Sequence, residues 1–169
     1  IFHEHNQTLR DAGLGARARD AFAPLIGRSF GYRKTLVYSP GGGVHKLFYS
    51  ADQRGVAPLS LAIRRELLST LDPPEENIAR VNAFRPDVIE GQGSYLALLF
   101  LHLKRTGLPF CRPRVLCYSA DAMPDSAREM VEREFNLPVF SLYGAMEAEN
   151  LAFECQEHTG LHVNIDLYP

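Results

Sequence analysis

From Pro58 onward the sequence alternates helix signals with short apolar runs, and few folds accommodate that pattern. Asp72-Pro73 predicts an N-cap with proline at the first helical position, and Ile78, Val81 and Phe84 give the apolar stripe behind it. Arg85-Pro86 should stop this helix, because the residue before a proline is pushed out of the α region. Val88-Ile89-Glu90 then predicts a short strand and Gly91-Gln92-Gly93 a tight turn. Ser94 is placed to cap a helix running to Thr106, apolar almost all round and so expected to be buried. The unit recurs with Arg114-Val115-Leu116-Cys117-Tyr118 as a buried strand and Ser119 to Met123 as a loop. A helix follows, with Ala127, Met130, Val131 and Phe135 on one face and Ser126/Glu129 spaced as a capping box, and Pro138 to Leu142 is the next strand. Such alternation implies an α/β fold, a mainly parallel sheet flanked by helices.

Ile1 to Arg28 is rich in Ala, Arg and Gly and reads as one or two surface helices. Thr35 to Tyr38 and Lys46 to Tyr49 are short β-rich runs flanking Pro40-Gly41-Gly42-Gly43, which predicts a loose hairpin. Leu59, Ala62, Ile63 and Leu67 share a helical face, so a helix is expected from Pro58.

At 169 residues the chain suffices for one domain with a sizeable core. A formal charge of −2 gives no electrostatic reason to expect nucleic acid or an anionic membrane as partner. The longest apolar run, Tyr95 to Leu103, is broken by His102 and is well short of the ~20 residues that cross a bilayer. The N-terminus shows no secretory signal and no initiator Met, so a longer parent chain is expected. Three cysteines, Cys111, Cys117 and Cys155, make no disulfide framework and fit a reducing, cytoplasmic setting.

In parallel sheets a ligand usually sits beyond the carboxyl ends of the strands. Three segments leave those ends here: Gly91 to Ser94, Ser119 to Met123, and Tyr143 to Glu149. The last is the most informative. Tyr143-Gly144-Ala145-Met146-Glu147 sets an aromatic face, a close-approach glycine and a carboxylate just after a buried strand. That combination can serve a nucleotide and its Mg²⁺, although Tyr-Gly turns after strands are also common as plain structure.

Tyr143-Gly144-Ala145-Met146-Glu147 resembles the Tyr-Gly-x-Thr/Ser-Glu motif of adenylate-forming enzymes. Ala152-Phe153-Glu154-Cys155 with Gly160-Leu161-His162-Val163-Asn164-Ile165-Asp166 is similar to the Glu-Cys…Gly-Leu-His…Asp pattern of their phenylacetate–CoA ligase branch. Pro86-Asp87 through Gly91, with Ser94-Tyr95-Leu96, resembles that branch's Pro-Asp-x-x-x-Gly-x-x-Ser-x-Leu element, and Ser119-Ala120-Asp121 stands where the family has an adenine loop.

The resemblance implies the central part of a large AMP-binding domain, without the phosphate loop and without the C-terminal lid domain. By the same resemblance, Tyr143 would stack on adenine, with Gly144 and Met146 beside it and Ser119, Ala120 and Asp121 lining the pocket. Glu147 would act in Mg²⁺–ATP binding as the catalytic carboxylate, and Gly91, Gln92 and Ser94 would lie near the acyl pocket. The implied activity is that of an ATP-dependent acid–thiol ligase. A small carboxylic acid becomes an acyl adenylate, and coenzyme A or a carrier thiol then displaces AMP. The fragment alone would be inactive.

Two departures stand out. Met146 replaces the hydroxyl residue of the motif, and a thioether is a poor acceptor; Asp121 replaces the usual Glu. Gly41-Gly42-Gly43 is expected to be a simple turn rather than a phosphate cradle. Cys155 and His162, at Cys-x6-His spacing with His158 between, are either half of a zinc site or a buried thiol beside surface histidines. Cys111 and Cys117 read as core. Ser94 lacks a nucleophile elbow, since Leu96 stands where the second glycine would be. The alternative to a ligase is a non-catalytic nucleotide- or zinc-binding relative. A third reading transfers the acyl group to a protein thiol.

Overall fold

The structure, a computed structural model, describes residues 22–27, 31–42, 63–145 and 149–163. Among the described residues seven strands form one sheet: β1 (Tyr32–Tyr38), β2 (Ile63–Ser69), β3 (Val88–Gln92), β4 (Val115–Ser119), β5 (Val139–Ala145), β6 (Glu149–Glu154) and β7 (Leu161–Val163). Three helices join them: α1 (Pro74–Phe84), α2 (Gly93–Thr106) and α3 (Asp125–Glu134). The strand order is β2-β1-β3-β4-β5-β6-β7. Pairing is parallel from β2 through β5, and β6 and β7 extend the sheet antiparallel. The sheet is therefore mainly parallel and flanked by helices.

Alternation along the strands gives each face its own core. Val37, Leu68, Ile89, Leu116 and Val139 point to one face and pack with Ile78 and Val81 of α1, Leu96, Leu99, Phe100 and Leu103 of α2, and Val131 of α3. The opposite face carries Tyr32, Val88, Val115, Cys117, Phe140 and Leu142, covered by Phe22 and Ile26 of a helical turn over residues 22–26. This turn is helical and packs one face inward: Phe22 and Ile26 are buried against the sheet while Pro24 is exposed, and the Phe22 and Phe140 rings lie 4.9 Å apart; residues 1–21 lie outside the described residues.

Several local expectations are corrected. Residues 63–69 form strand β2 rather than a helix, because register with β1 (Tyr32↔Ile63 through Tyr38↔Ser69) outweighs the helix propensity of an Arg-Arg-Glu-Leu-Leu run. No hairpin can form on β1, since β2 and β3 take both of its edges; residues 46–49 lie outside the described residues. Helix α1 starts one residue later than expected, with Pro73 as N-cap, and ends as expected where Arg85 turns left-handed at φ 54°. Gly91 and Gln92 belong to β3, so the strand passes directly into α2 without a turn. Ser126 lies within α3 and caps nothing, Pro124 being the N-cap. Helix α2 is not buried all round: Leu98 and Leu101 are exposed. Cys117 is core, as read, whereas Cys111 is half-buried. Among the described residues no helix is long and apolar enough to cross a membrane.

Candidate functional site

The chain leaves β1 toward β2 on one side and leaves β3 toward β4 on the other. Their carboxyl ends thus flank a topological switch point, where open α/β sheets form their ligand crevice. Tyr38 and Ser39 stand at one lip and Gln92 at the other, and Ser39 Oγ donates to Gln92 Oε1 at 2.9 Å.

Behind this lip lies a polar network that the sequence reading missed. Glu90, only 8 % exposed, points to the same face as Tyr38 and Ser119. Lys34 Nζ lies 2.5 Å from Glu90 Oε2, and the Tyr38 hydroxyl donates to Oε1 at 2.8 Å. The Tyr38 oxygen is also 2.6 Å from Ser119 Oγ. A phenol has one proton and a carboxylate only accepts, so Ser119 must donate to Tyr38, which donates to Glu90. Burial lowers the Lys34 pKa, but the charge and hydrogen bond of Glu90, with the Tyr32 and Cys117 side chains, together outweigh it, and the ammonium titrates above its usual range. Burial and then the Glu90 charge push the Tyr38 phenol well up, so it stays a donor. Burial, with the Glu90 charge adding, also raises the Cys117 thiol, which is inert at neutral pH. The detectable signal was a glutamate in a run that otherwise reads as a buried strand.

Ser119, Ala120 and Asp121 form the turn after β4. The Asp121 N–H donates to the Ser119 carbonyl at 2.9 Å with Ala120 at φ 70°, a γ-turn of the strained hand. The expected cap of α2 is also corrected. Ser94 is not the N-cap; Gln92 is, with no capping bond from its own side chain. Instead the Asp121 carboxylate reaches the helix from outside. Its Oδ1 accepts the Ser94 N–H at 3.1 Å and its Oδ2 accepts the Ser94 hydroxyl. An anion at a helix N-terminus meets unpaired amides and the positive end of the dipole. The contact needs Gly93 beneath it, where a Cβ would lie 2.5 Å from the Met123 nitrogen. Gly91 is equally constrained: a Cβ there would lie 2.7 Å from the Val37 carbonyl oxygen.

Tyr143 lies near the carboxyl end of β5, on the opposite face from Ser119, and is 57 % exposed. The ring is open to stack on a planar ligand. Because the two side chains diverge, a ligand on that ring would meet the turn through its backbone rather than through Ser119 Oγ. Gly144 follows at a break in the β5–β6 register. Met146 and Glu147 lie outside the described residues.

Cys155 and His162 do come together, with Sγ and Nε2 at 3.0 Å. That is a hydrogen-bond distance; tetrahedral zinc with usual bond lengths would hold them about 3.6 Å apart. Among the described residues no group of three or more His, Cys, Asp or Glu is placed to hold a metal. His158 turns away to Glu154, at 2.8 Å, and its ring stacks on Phe140.

No protein-family model matches the sequence, and no curated protein matches it. Solved structures do match the fold. An open conformation of a 2-hydroxyisobutyryl-CoA ligase, in complex with 2-HIB-AMP and CoA, superposes at TM-score 0.62 and 14 % identity over 86 % of this chain and 33 % of that one. A long-chain-fatty-acid–CoA ligase from Archaeoglobus fulgidus gives TM-score 0.55 at 15 % identity, over 82 % of this chain and 29 % of the other. The 2-hydroxyisobutyryl-CoA ligase in its postadenylation state, in complex with R3-HIB-AMP, gives TM-score 0.52 at 15 % identity, over 86 % and 32 %. At these identities the likeness is one of fold. The chain spans about a third of the length of these structures and has the fold of a fragment of an adenylate-forming enzyme.

Proposed function

We propose that this chain is part of an ATP-dependent carboxylate–CoA ligase of the phenylacetate–CoA ligase type, a piece of its AMP-binding domain. The observation that carries this reading is that the Ser119–Asp121 γ-turn and the exposed Tyr143 stand at the carboxyl ends of adjacent parallel strands. A planar base can stack on the ring while the turn offers backbone groups to its edge. The matching fold in ligases caught with an acyl adenylate and CoA supports the same reading.

In the proposed reaction the carboxylate of a small acid attacks the α-phosphorus of ATP and pyrophosphate leaves. A thiol, from CoA or a carrier, then attacks the acyl carbon and AMP departs. Catalysis here is chiefly positioning and charge neutralisation. Tyr143, Gly144 and the 119–121 turn would hold the nucleotide, and Gly91, Gln92 and Ser94 would border the acid. By resemblance Glu147 would bring a carboxylate to Mg²⁺–ATP. Cys155 and His162 supply only two zinc ligands, at hydrogen-bond separation, and no step is assigned to that metal.

Met146 favours one second reading, a relative that binds nucleotide but does not turn over. ATP–pyrophosphate exchange by the full-length protein, with aryl and aliphatic acids, separates the two. Acid-dependent exchange that Glu147→Gln abolishes establishes the ligase. ATP binding without exchange establishes the non-catalytic relative.

A further inference from the structure

We propose that Tyr38 and Asp121 are positioning residues, which clamp the Ser119–Asp121 turn from both ends and present its backbone to the nucleotide in one fixed shape. The inference rests on the nucleotide-binding reading above and goes beyond it in assigning roles to two side chains.

The turn is exposed, and exposed loops are ordinarily mobile. This one also carries backbone strain, since Ala120 at φ 70° occupies a region that L-residues rarely adopt. Such a conformation persists only when its surroundings over-determine it. Two independent anchors do so here. At one end Ser119 is tied to Tyr38, which reaches across β3 from β1 and is itself oriented by Glu90 and Lys34. At the other end the Asp121 carboxylate is spent on the N–H and hydroxyl of Ser94. Gly93 lets the following segment, Asp121 to Met123, lie directly on the start of α2.

Two consequences separate this from a direct binding role. Asp121 acts first by accepting the Ser94 N–H, so an amide of the same length should keep part of its effect. Tyr38 is bonded to Ser119 of the turn, so its loss should act on nucleotide and acid unequally.

The test uses the full-length protein. In pyrophosphate exchange, Tyr38→Phe and Asp121→Ala should each raise KM for ATP about tenfold, with KM for the acid changed less than about twofold. Asp121→Asn, whose Oδ1 still accepts the Ser94 amide, should raise the KM for ATP clearly less than Asp121→Ala does. Equal rises in both KM values, or none, for Tyr38→Phe would overturn the role of Tyr38. Asp121→Asn as damaging as Asp121→Ala would overturn that of Asp121. A wild-type protein that neither binds ATP nor exchanges overturns the functional reading instead. The clamp is then read without ligand, by hydrogen exchange at the Asp121 amide. Exchange about tenfold faster in Tyr38→Phe upholds the clamp, and an unchanged rate overturns it.

Discussion

Two buried carboxylates, Glu90 and Glu154, sit in different parts of one sheet and are satisfied in different ways. Glu90 lies in the parallel centre, and Lys34, Tyr38 and Ser119 all come from neighbouring strands. Glu154, 6 % exposed, ends the antiparallel strand β6. Its partners come from three kinds of element. Arg128 of α3 meets Oε1 at 2.9 Å and also donates to the Val139 carbonyl, the Ser141 N–H donates to Oε2 at 2.9 Å, and His158 of the following turn lies 2.8 Å away. Both sites obey the rule that a buried charge must be paired and hydrogen-bonded. They differ in what that pairing fixes. The Glu90 network reaches the Ser119–Asp121 turn, whereas the Glu154 network ties the antiparallel extension to α3.

If that division is right, the largest stability effect belongs to the Glu154 site. Arg128→Ala would leave a buried carboxylate without its cation and should lower unfolding stability by about 3–5 kcal/mol in a urea titration. A loss of under about 1 kcal/mol would mean that His158 and the Ser141 amide suffice. Next comes Gly93→Ala, which forces a methyl onto the Ala122–Met123 backbone. It should cost about 1–3 kcal/mol by the same measurement and weaken ATP binding as well, a double effect that Arg128→Ala lacks.

The pH dependence sharpens the contrast further. Burial alone would raise the Glu154 carboxyl, but bonds from Arg128, His158 and the Ser141 amide outweigh it and hold it below its ordinary 4.5. A folded value below the unfolded one contributes stability that is complete above 4.5 and is lost as pH falls through the folded value. Acid titrations should therefore show wild type losing its advantage over Glu154→Gln as pH falls below 4.5 and through the folded value, the two curves converging at the acid end. A constant gap would mean that the carboxylate charge is not the stabilising element. The smallest effect is expected at Leu98, 62 % exposed on α2, where Leu98→Ser should change stability by no more than about 0.5 kcal/mol. A larger loss would reveal a partner surface over that helix.

The residues that were read correctly carry local signals. Arg85-Pro86 ends α1 because a proline restricts its immediate neighbour, and Val88-Ile89, Val115-Leu116 and Val139-Phe140 are strands because short apolar runs between helices have few alternatives. The residues that were misread carry signals that a distant element overrides. Residues 63–69 look helical alone and are a strand because β1 offers a parallel edge. Ser94 looks like a cap, yet it donates to a carboxylate twenty-seven positions away. Tyr38 gave no sign of reaching Ser119, eighty-one positions on, since nothing within a turn of either residue records the other.

The sequence by itself determined the alternation of helix and strand, the parallel character of the sheet and the segments that would leave its carboxyl ends. Periodicity and turn chemistry act over a few residues, and those features need no more. Only the tertiary structure decided that β1 lies between β2 and β3, that Glu90, Lys34, Tyr38 and Ser119 form one network, and that Asp121 caps α2. Each depends on strand register. A shift of one residue would turn Glu90 toward the helices, into the apolar core, so the register that buries Ile89 on one face also delivers Glu90 to its partners on the other.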